Sequence, residues 1–238
     1  MRQQNGELSH YNPGGRALES GRMTRPSAPM RELLTAAFEP DFDRRAYDAV
    51  DIRIMDAGMA VLAERGTRAA TTTEIARRAD VGRATLHRRF ATKDILFQHA
   101  LARELTAIFT EFAALMAAHS DPREQVAEAF ALCIDVVRQP PFHHVSAARR
   151  AELVAAFAEG APSPLERGRD FIAEAIRVQA QRGEIPAADP RQQADALMHV
   201  IIGFYVTPTS PVNLADGDEV RAFARRYLSP ILLSPATE

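Results

Sequence analysis

Apolar residues recur at helical spacing from residue 44 almost to the end of the chain, and this pattern most constrains the fold. Tyr47, Val50, Ile54, Ala57 and Val61 follow one another at intervals of 3, 4, 3 and 4 residues, which places them on one face of a helix. No segment alternates apolar and polar residues with the period of two that a half-buried strand requires. We therefore predict an all-α chain of about nine helices.

Residues that favour helix starts mark most of the predicted elements. Thr71-Thr72-Thr73-Glu74 has the sequence of a capping box, in which the Thr71 hydroxyl accepts from the third helical amide and Glu74 reaches back to the Thr71 amide. Gly66 is expected to end the preceding helix, because glycine readily adopts the left-handed conformation of many helix C-termini. Further N-cap residues precede a proline at Asp121-Pro122, Ser163-Pro164 and Asp189-Pro190.

Two short helices with a high density of cations follow Thr71. The predicted helices cover 72–79 and 83–90, and Asp80-Val81-Gly82 forms the turn between them. From Thr71 to Lys93 there are six basic side chains against two acidic ones, although the formal net charge of the chain is -2. Two short helices joined by a three-residue turn with a glycine are typical of a helix-turn-helix, whose second helix enters the major groove of DNA.

The second short helix has one apolar and one polar face. At about 100° per residue, Leu86 and Phe90 point inward together, and Arg88 lies on the opposite face. Arginine binds guanine edges and phosphates, so this face is a candidate DNA-reading surface, although a merely solvated helical face is the alternative. The candidate DNA-binding residues are Thr71, Thr72, Arg83, Ala84, Thr85, His87, Arg88, Arg89 and Lys93.

These residues carry a resemblance to a known family. The segment 44–99 resembles the DNA-binding domain of the TetR family of transcriptional regulators, with His87 where that family usually has tyrosine and Gly82 where serine is frequent. The resemblance implies a homodimer that binds palindromic double-stranded operator DNA, as a repressor released by a small apolar effector or as an activator. The matching residues are Gly66, Thr71, Ile75-Ala76, Ala79, Val81, Thr85-Leu86, Phe90, Lys93-Asp94 and Leu96.

The domain organisation follows from composition and periodicity. Residues 1–40 are rich in Gly, Pro, Ser and Arg without sustained periodicity, so we predict a disordered N-terminal arm, although 31–38 is compatible with a short helix. We place a three-helix DNA-binding domain at 41–95 and a helical effector-binding and dimerisation domain at 96–238. Met1, Met23 and Met30 are all compatible with the start of translation.

The C-terminal region is expected to bind an effector and to form a dimer. The resemblance implies an apolar cavity between its helices, although ordinary core packing is the alternative for each candidate residue. A late apolar stripe is either core or the seam of a two-fold dimer, and the resemblance favours the dimer. The candidate pocket residues are Phe112, Met116, Phe130, Cys133, Phe157 and Phe171, and the candidate dimer residues are Leu197, Val200, Ile201 and Phe204.

Composition disfavours several other classes of protein. No apolar run approaches the roughly 20 residues of a membrane span, and the first residues lack the apolar centre of a secretory signal, so we expect a cytoplasmic protein without a membrane partner. Cys133 is the only cysteine, which excludes an internal disulfide or a thiol-metal cluster. We predict no metal and no cofactor, because the adjacent His143 and His144 would diverge on a helix.

Two other classes of function are alternatives to a regulator. An enzyme is disfavoured, since the sequence has no phosphate-binding glycine loop and no nucleophile elbow. A dyad of Cys133 with His143 or His144 is disfavoured because Cys133 lies within an apolar helical stripe. The remaining alternative is a helical adaptor that binds other proteins and has no sequence-specific affinity for DNA.

Overall fold

The computed structural model describes residues 28–37, 45–139, 142, 145–186, 188–207 and 209–234. Every regular element within these ranges is helical, which confirms the predicted all-α fold. The elements are α1 (Ala28–Ala37), α2 (Ala49–Ala69), α3 (Thr72–Arg78), α4 (Arg83–Arg89), α5 (Lys93–Ala118), α6 (Pro122–Val137), α7 (Ala147–Ala158), α8 (Pro164–Gln181), α9 (Pro190–Val206), α10 (Gly217–Phe223), a π-helix (Ala224–Leu228) and α11 (Ser229–Leu233).

Helices α2, α3 and α4 pack with the first turns of α5 into the N-terminal unit. Their apolar faces meet in one core, in which Ile54, Ile75, Leu86 and Phe97 are fully buried. Ile54, Ala57 and Val61 of the predicted stripe are buried, and Tyr47 and Val50 pack against the same core while they remain partly exposed. Gly66 has φ 70° and ψ 176° and interrupts α2, after which the helix continues to Ala69.

The predicted N-caps are present at the starts of the longer helices. Thr92 accepts from the Ile95 amide at 3.1 Å at the start of α5. Ser163 and Glu166 form a complete capping box at the start of α8, where the two bonds measure 3.2 and 2.7 Å. These side chains satisfy amides that a helix end leaves open, so the helix starts follow directly from local sequence.

Helix α1 overlaps the short helix with which 31–38 is compatible, and residues 28–37 of the predicted arm are therefore ordered. Its residues Met30, Leu33, Leu34 and Ala37 are 2–3% exposed, and the helix packs against α5 and α7. Burial of these four apolar side chains on one helix face offsets the conformational entropy that the segment loses when it becomes ordered. A purely polar arm would gain no such stabilisation. Residues 1–27 and 38–40 lie outside the described residues, as do His143 and His144.

A second core joins α6, α8, α9 and the C-terminal helices. The last predicted helix, 218–228, is divided into α10 and the π-helix, and α11 follows it. This division, α11 and the N-terminal α1 account for the helical elements beyond the nine that the sequence predicted. Ser229 donates its amide back to the Ala224 carbonyl in the π-helix, and Pro230 has no amide hydrogen to continue an α-helical ladder. Within the described ranges, none of the helices has both the length and the apolar character of a membrane span.

Candidate nucleic-acid interface

The N-terminus of α3 is capped by Thr71, but the predicted capping box is only half formed. The Thr71 hydroxyl accepts from the Glu74 amide at 3.2 Å. The Glu74 carboxylate turns away from the Thr71 amide and accepts from Arg77 at 2.8 and 3.1 Å. These bonds from Arg77 lower the pKa of Glu74. Thr71 is exposed and Thr72 half-buried on the surface that precedes α4.

The turn between α3 and α4 depends on Asp80 rather than on the glycine. Asp80 has φ 52°, in the left-handed region. The Val81 amide bonds to the Ala76 carbonyl at 3.0 Å and the Asp80 amide to the Arg77 carbonyl at 3.3 Å, which is the Schellman pattern of a helix C-terminus. Gly82 has φ -68° and ψ 145° at the N-cap of α4, a conformation that any residue adopts.

Helix α4 presents a narrow polar face over a fully buried apolar one. Leu86 and Phe90 have 0% exposure. Arg83, Ala84, His87 and Arg88 are exposed, and Thr85 is half-buried at the edge of the same face. The sequence-based assignment of inner and outer faces is therefore correct for these residues.

The exposed cations of α4 lack intramolecular partners. In the part of the chain that the structure describes, Arg83, His87 and Arg88 make no side-chain hydrogen bond or ion pair. The cations of α3 differ, because Arg77 is bonded to Glu74 and Arg78 to Glu64 at 2.6 and 2.9 Å. Unpaired positive charge is thus concentrated on the outer face of α4.

Arg89 departs from the sequence-based prediction of a DNA-facing side chain. Its guanidinium lies 2.6 Å from the Asp48 carboxylate and 3.0 Å from Asp51, at the start of α2. The bond from Arg89 lowers the pKa of Asp48. Arg89 therefore joins the end of α4 to the start of α2 and is not available to a ligand in this conformation.

Lys93 is also occupied within the fold. Its ammonium donates to the Thr67 carbonyl at 2.8 Å and to the Ala70 carbonyl at 3.1 Å. These two acceptors belong to the last turn of α2, where a cation satisfies carbonyls that the helix end leaves open. The side chain that the sequence indicated for phosphate contact thus joins α5 to α2.

A small apolar cavity in the second core has a volume of about 60 Å³. Four of the candidate pocket residues border it, namely Phe112, Met116, Phe130 and Cys133. Phe171 instead borders a neighbouring groove that shares part of the wall. Phe157 does not reach this cavity but borders a separate one between α1, α5 and α6.

The polar part of the cavity wall consists of two glutamines that sequence reasoning did not identify. Gln179 donates to the Gln125 side-chain oxygen at 2.7 Å, and Gln125 donates to the Met116 and His119 carbonyls at 3.0 and 2.7 Å. Desolvation raises the pKa of the Cys133 thiol to about 11. The cavity therefore has a neutral lining at physiological pH, and its cysteine is protonated and poorly nucleophilic.

The stripe predicted as the dimer seam packs inward. Leu197, Val200, Ile201 and Phe204 lie against the second core of the same chain, and the Phe204 ring contacts the rings of Phe130 and Phe223 at centroid distances of 5.7 and 5.3 Å. All four side chains are only half-buried in the single chain, so their assignment to a dimer seam stays a prediction.

The exposed stripe of α9 lies elsewhere on the helix. It consists of Ala196, His199, Gly203 and Val206. Tyr227 of the π-helix is 58% exposed, and its ring lies 5.2 Å from that of Phe223, which in turn contacts Phe204 of α9. Among the described residues, the exposed face of α9 therefore combines the small or apolar Ala196, Gly203 and Val206 with His199, which is bonded to Asp195.

The N-terminal unit has a counterpart among known families. Residues 54–100 match the family model of bacterial regulatory proteins of the tetR family. This segment is a TetR-family domain. The resemblance seen in the sequence is thereby confirmed, and the match includes α3, α4 and the first turns of α5. No curated protein matches the chain.

Solved structures of TetR-family proteins share the fold of the chain beyond this domain. A putative TetR-family transcriptional regulator from Mesorhizobium loti has a TM-score of 0.57 at 17% identity, over 76% of this chain and 94% of that one. The fatty acid degradation regulator FadR from Bacillus halodurans has a TM-score of 0.54 at 17% identity, over 76% and 96%. A TetR transcription regulator from Haloarcula marismortui has a TM-score of 0.55 at 20% identity, over 78% and 97%.

Proposed function

We propose that this TetR-family protein is a dimeric transcriptional repressor that reads palindromic operator DNA with α4 and leaves it when a small apolar effector binds. The outer face of α4 carries this proposal, because Arg83, His87 and Arg88 are exposed there and have no partner among the residues that the structure describes. Arg77, Arg78 and Arg89 differ, because each is paired with a carboxylate.

The proposed roles follow from the chemistry of each side chain. Arg83 and Arg88 bind guanine edges or phosphates, Ala84 and Thr85 contact thymine methyl groups or phosphates, and His87 donates to a phosphate. Thr71 and Thr72 contact the backbone beside α3. Arg89 and Lys93 take a positioning role, since both hold the ends of α2 against α4 and α5.

Selection of duplexes from a random library tests this proposal. We expect the full chain to enrich a palindrome with half-sites about one helical turn apart and to prefer it over random duplex by roughly 10³-fold or more at physiological salt. An adaptor without sequence-specific binding would enrich no sequence, and any residual affinity would fall steeply with salt. Transcription from a promoter that contains the selected site then distinguishes repression from activation.

The proposed dimer uses the exposed face of α9, beside the half-buried stripe that the sequence indicated. Ala196, His199, Gly203 and Val206 share one face, and small residues there allow two helices to approach closely across a two-fold axis. A Cβ at Gly203 would meet nothing within 4 Å in the single chain, so Gly203→Arg is expected to preserve the fold while it separates the subunits. Sedimentation equilibrium measures this, and a wild-type monomer at all concentrations contradicts the dimer.

The proposed effector is small, apolar and uncharged. No ionisable side chain other than the protonated thiol lines the cavity within the described residues, and the burial of an unpaired ionic ligand there would be unfavourable. A volume of about 60 Å³ admits only a few atoms, so a larger effector must push the helices apart, which provides a reason for release. Thermal-shift measurements test this: stabilisation by permanently charged compounds that is lost in Gln179→Leu would contradict it.

A further inference from the structure

A third cavity lies at the junction of α6, α7 and α9. Its volume is about 480 Å³, and the segment 210–215 closes one side of it. It shares no lining residue with the apolar cavity of the second core. Its walls carry charge and hydrogen-bonding groups, so the two cavities would accept different ligands.

Two arginines face this cavity without a counter-charge. Arg138 follows the last residue of α6, and Arg150 lies in the first turn of α7. Both side chains are half-buried, and neither has a carboxylate partner among the residues that the structure describes. The described lining residues include no aspartate or glutamate. Two partly desolvated guanidinium groups in one concave site are unfavourable unless an anion offsets them.

Aromatic rings form the wall beside these arginines. The Arg150 guanidinium carbon lies 5.8 Å from the centroid of the Tyr205 ring. The Phe142 ring meets the Tyr205 ring edge-on at 6.1 Å, and Phe204 lines the same wall. Rings in this arrangement offer flat apolar surfaces that a planar or branched hydrocarbon group can cover.

The segment 210–215 adds two short polar side chains to the lining of this cavity. Ser210 accepts from the Val212 amide at 3.1 Å, which leaves its hydroxyl hydrogen to donate. Asn213 accepts from the Ala215 amide at 3.1 Å through its side-chain oxygen, which leaves its NH₂ group to donate. The cavity thus combines two cations, aromatic surface and additional donors around one space.

We infer that this cavity is a second ligand site, which takes a small organic anion. A carboxylate or phosphate group lies between Arg138 and Arg150, and an aromatic or branched apolar body lies against Tyr205 and Phe142. Guanidinium groups bind both kinds of oxyanion with paired hydrogen bonds, so the shared chemistry is an oxyanion on an apolar body. This site requires neither DNA binding nor the effector cavity.

Isothermal titration of the full-length protein without DNA tests the inference with three probes of similar shape: benzoate, phenyl phosphate and the neutral benzamide. We expect saturable binding of at least one anion and at least tenfold weaker binding of benzamide, because the charge-assisted bonds are absent. Binding of benzoate alone identifies a carboxylate site, and binding of phenyl phosphate alone identifies a phosphate site. Equal affinity for benzamide, or no saturable binding of either anion, overturns the inference.

Variants then locate the site. Arg138→Gln and Arg150→Gln are each expected to weaken anion binding by roughly 10- to 100-fold, the range for a hydrogen bond to a charged group. Arg226→Gln is the matched control, because Arg226 also lies near a tyrosine ring, at 5.5 Å from that of Tyr227, but is not part of the cavity lining. This variant should bind the anion with the same affinity as the wild-type protein. If a folded variant with both arginines replaced binds the anion as tightly as wild type, the assignment of the site to Arg138 and Arg150 is overturned. The comparison with benzamide uses the wild-type protein and therefore tests the inference even where a variant does not fold.

Discussion

The double substitution Arg83→Ala and Arg88→Ala is expected to lower the affinity for the selected operator by roughly a hundredfold or more. Each arginine that reads a base or a phosphate contributes about 1–3 kcal/mol, and a dimer would lose both in each half-site. The fold should tolerate the change, because both side chains are exposed and have no partner among the described residues. Fluorescence anisotropy with a labelled operator at fixed salt measures the loss.

The control for this experiment removes two positive charges from a surface far from α4 in the sequence. Arg177 and Arg182 lie at the C-terminal end of α8, and their side chains are 47% and 67% exposed. Arg177→Ala with Arg182→Ala should leave operator affinity within about a factor of three, because exposed ion pairs contribute little. Unchanged sequence preference in the Arg83 and Arg88 variant would show that α4 does not read DNA.

The helices of the N-terminal unit could be predicted because their signals are local. The Thr71 hydroxyl accepts from the amide of Glu74, three residues along the chain, and Leu86 and Phe90 are one helical turn apart on the buried face. Such features depend on spacing along one helix and hardly on the rest of the chain. The same spacing predicted which side chains of α4 lie on its outer face.

The roles of Arg89 and Lys93 could not be predicted in this way. Arg89 meets a carboxylate 41 residues away, and Lys93 meets carbonyls 26 and 23 residues away. A count of cations along the sequence treats paired and unpaired side chains alike, whereas their partners are fixed only when α2 packs across α4 and α5. The sequence therefore overestimated the number of cations that are free to bind DNA.

The stripe of α9 illustrates a second limit. Leu197 and Phe204 are apolar and regularly spaced, and this pattern is the same for a core and for a dimer seam. The packing of α6 and the C-terminal helices against this stripe covers only part of each side chain in the single chain, so the spacing remains compatible with both. Small residues such as Gly203 give no periodic signal, although they line the face that remains uncovered.

Helix α1 is expected to contribute a large part of the stability of the fold, and Leu34→Ala tests this. Leu34 is 2% exposed, and it also borders the cavity of about 390 Å³ between α1, α5 and α6. Replacement by alanine should lower the free energy of unfolding by about 2–5 kcal/mol, because the lost burial adds to the void that the side chain leaves. Urea unfolding followed by circular dichroism measures the change.

Thr35→Ala serves as the control within the same helix. Thr35 is only half-buried, and alanine favours the helix, so its unfolding midpoint should stay near that of wild type. A Leu34→Ala midpoint equal to wild type would mean that α1 does not pack as described. The expected loss is large because α1 shares one core with α5, α7 and the buried side of α4. This helix therefore connects the N-terminal unit to the helices that follow it.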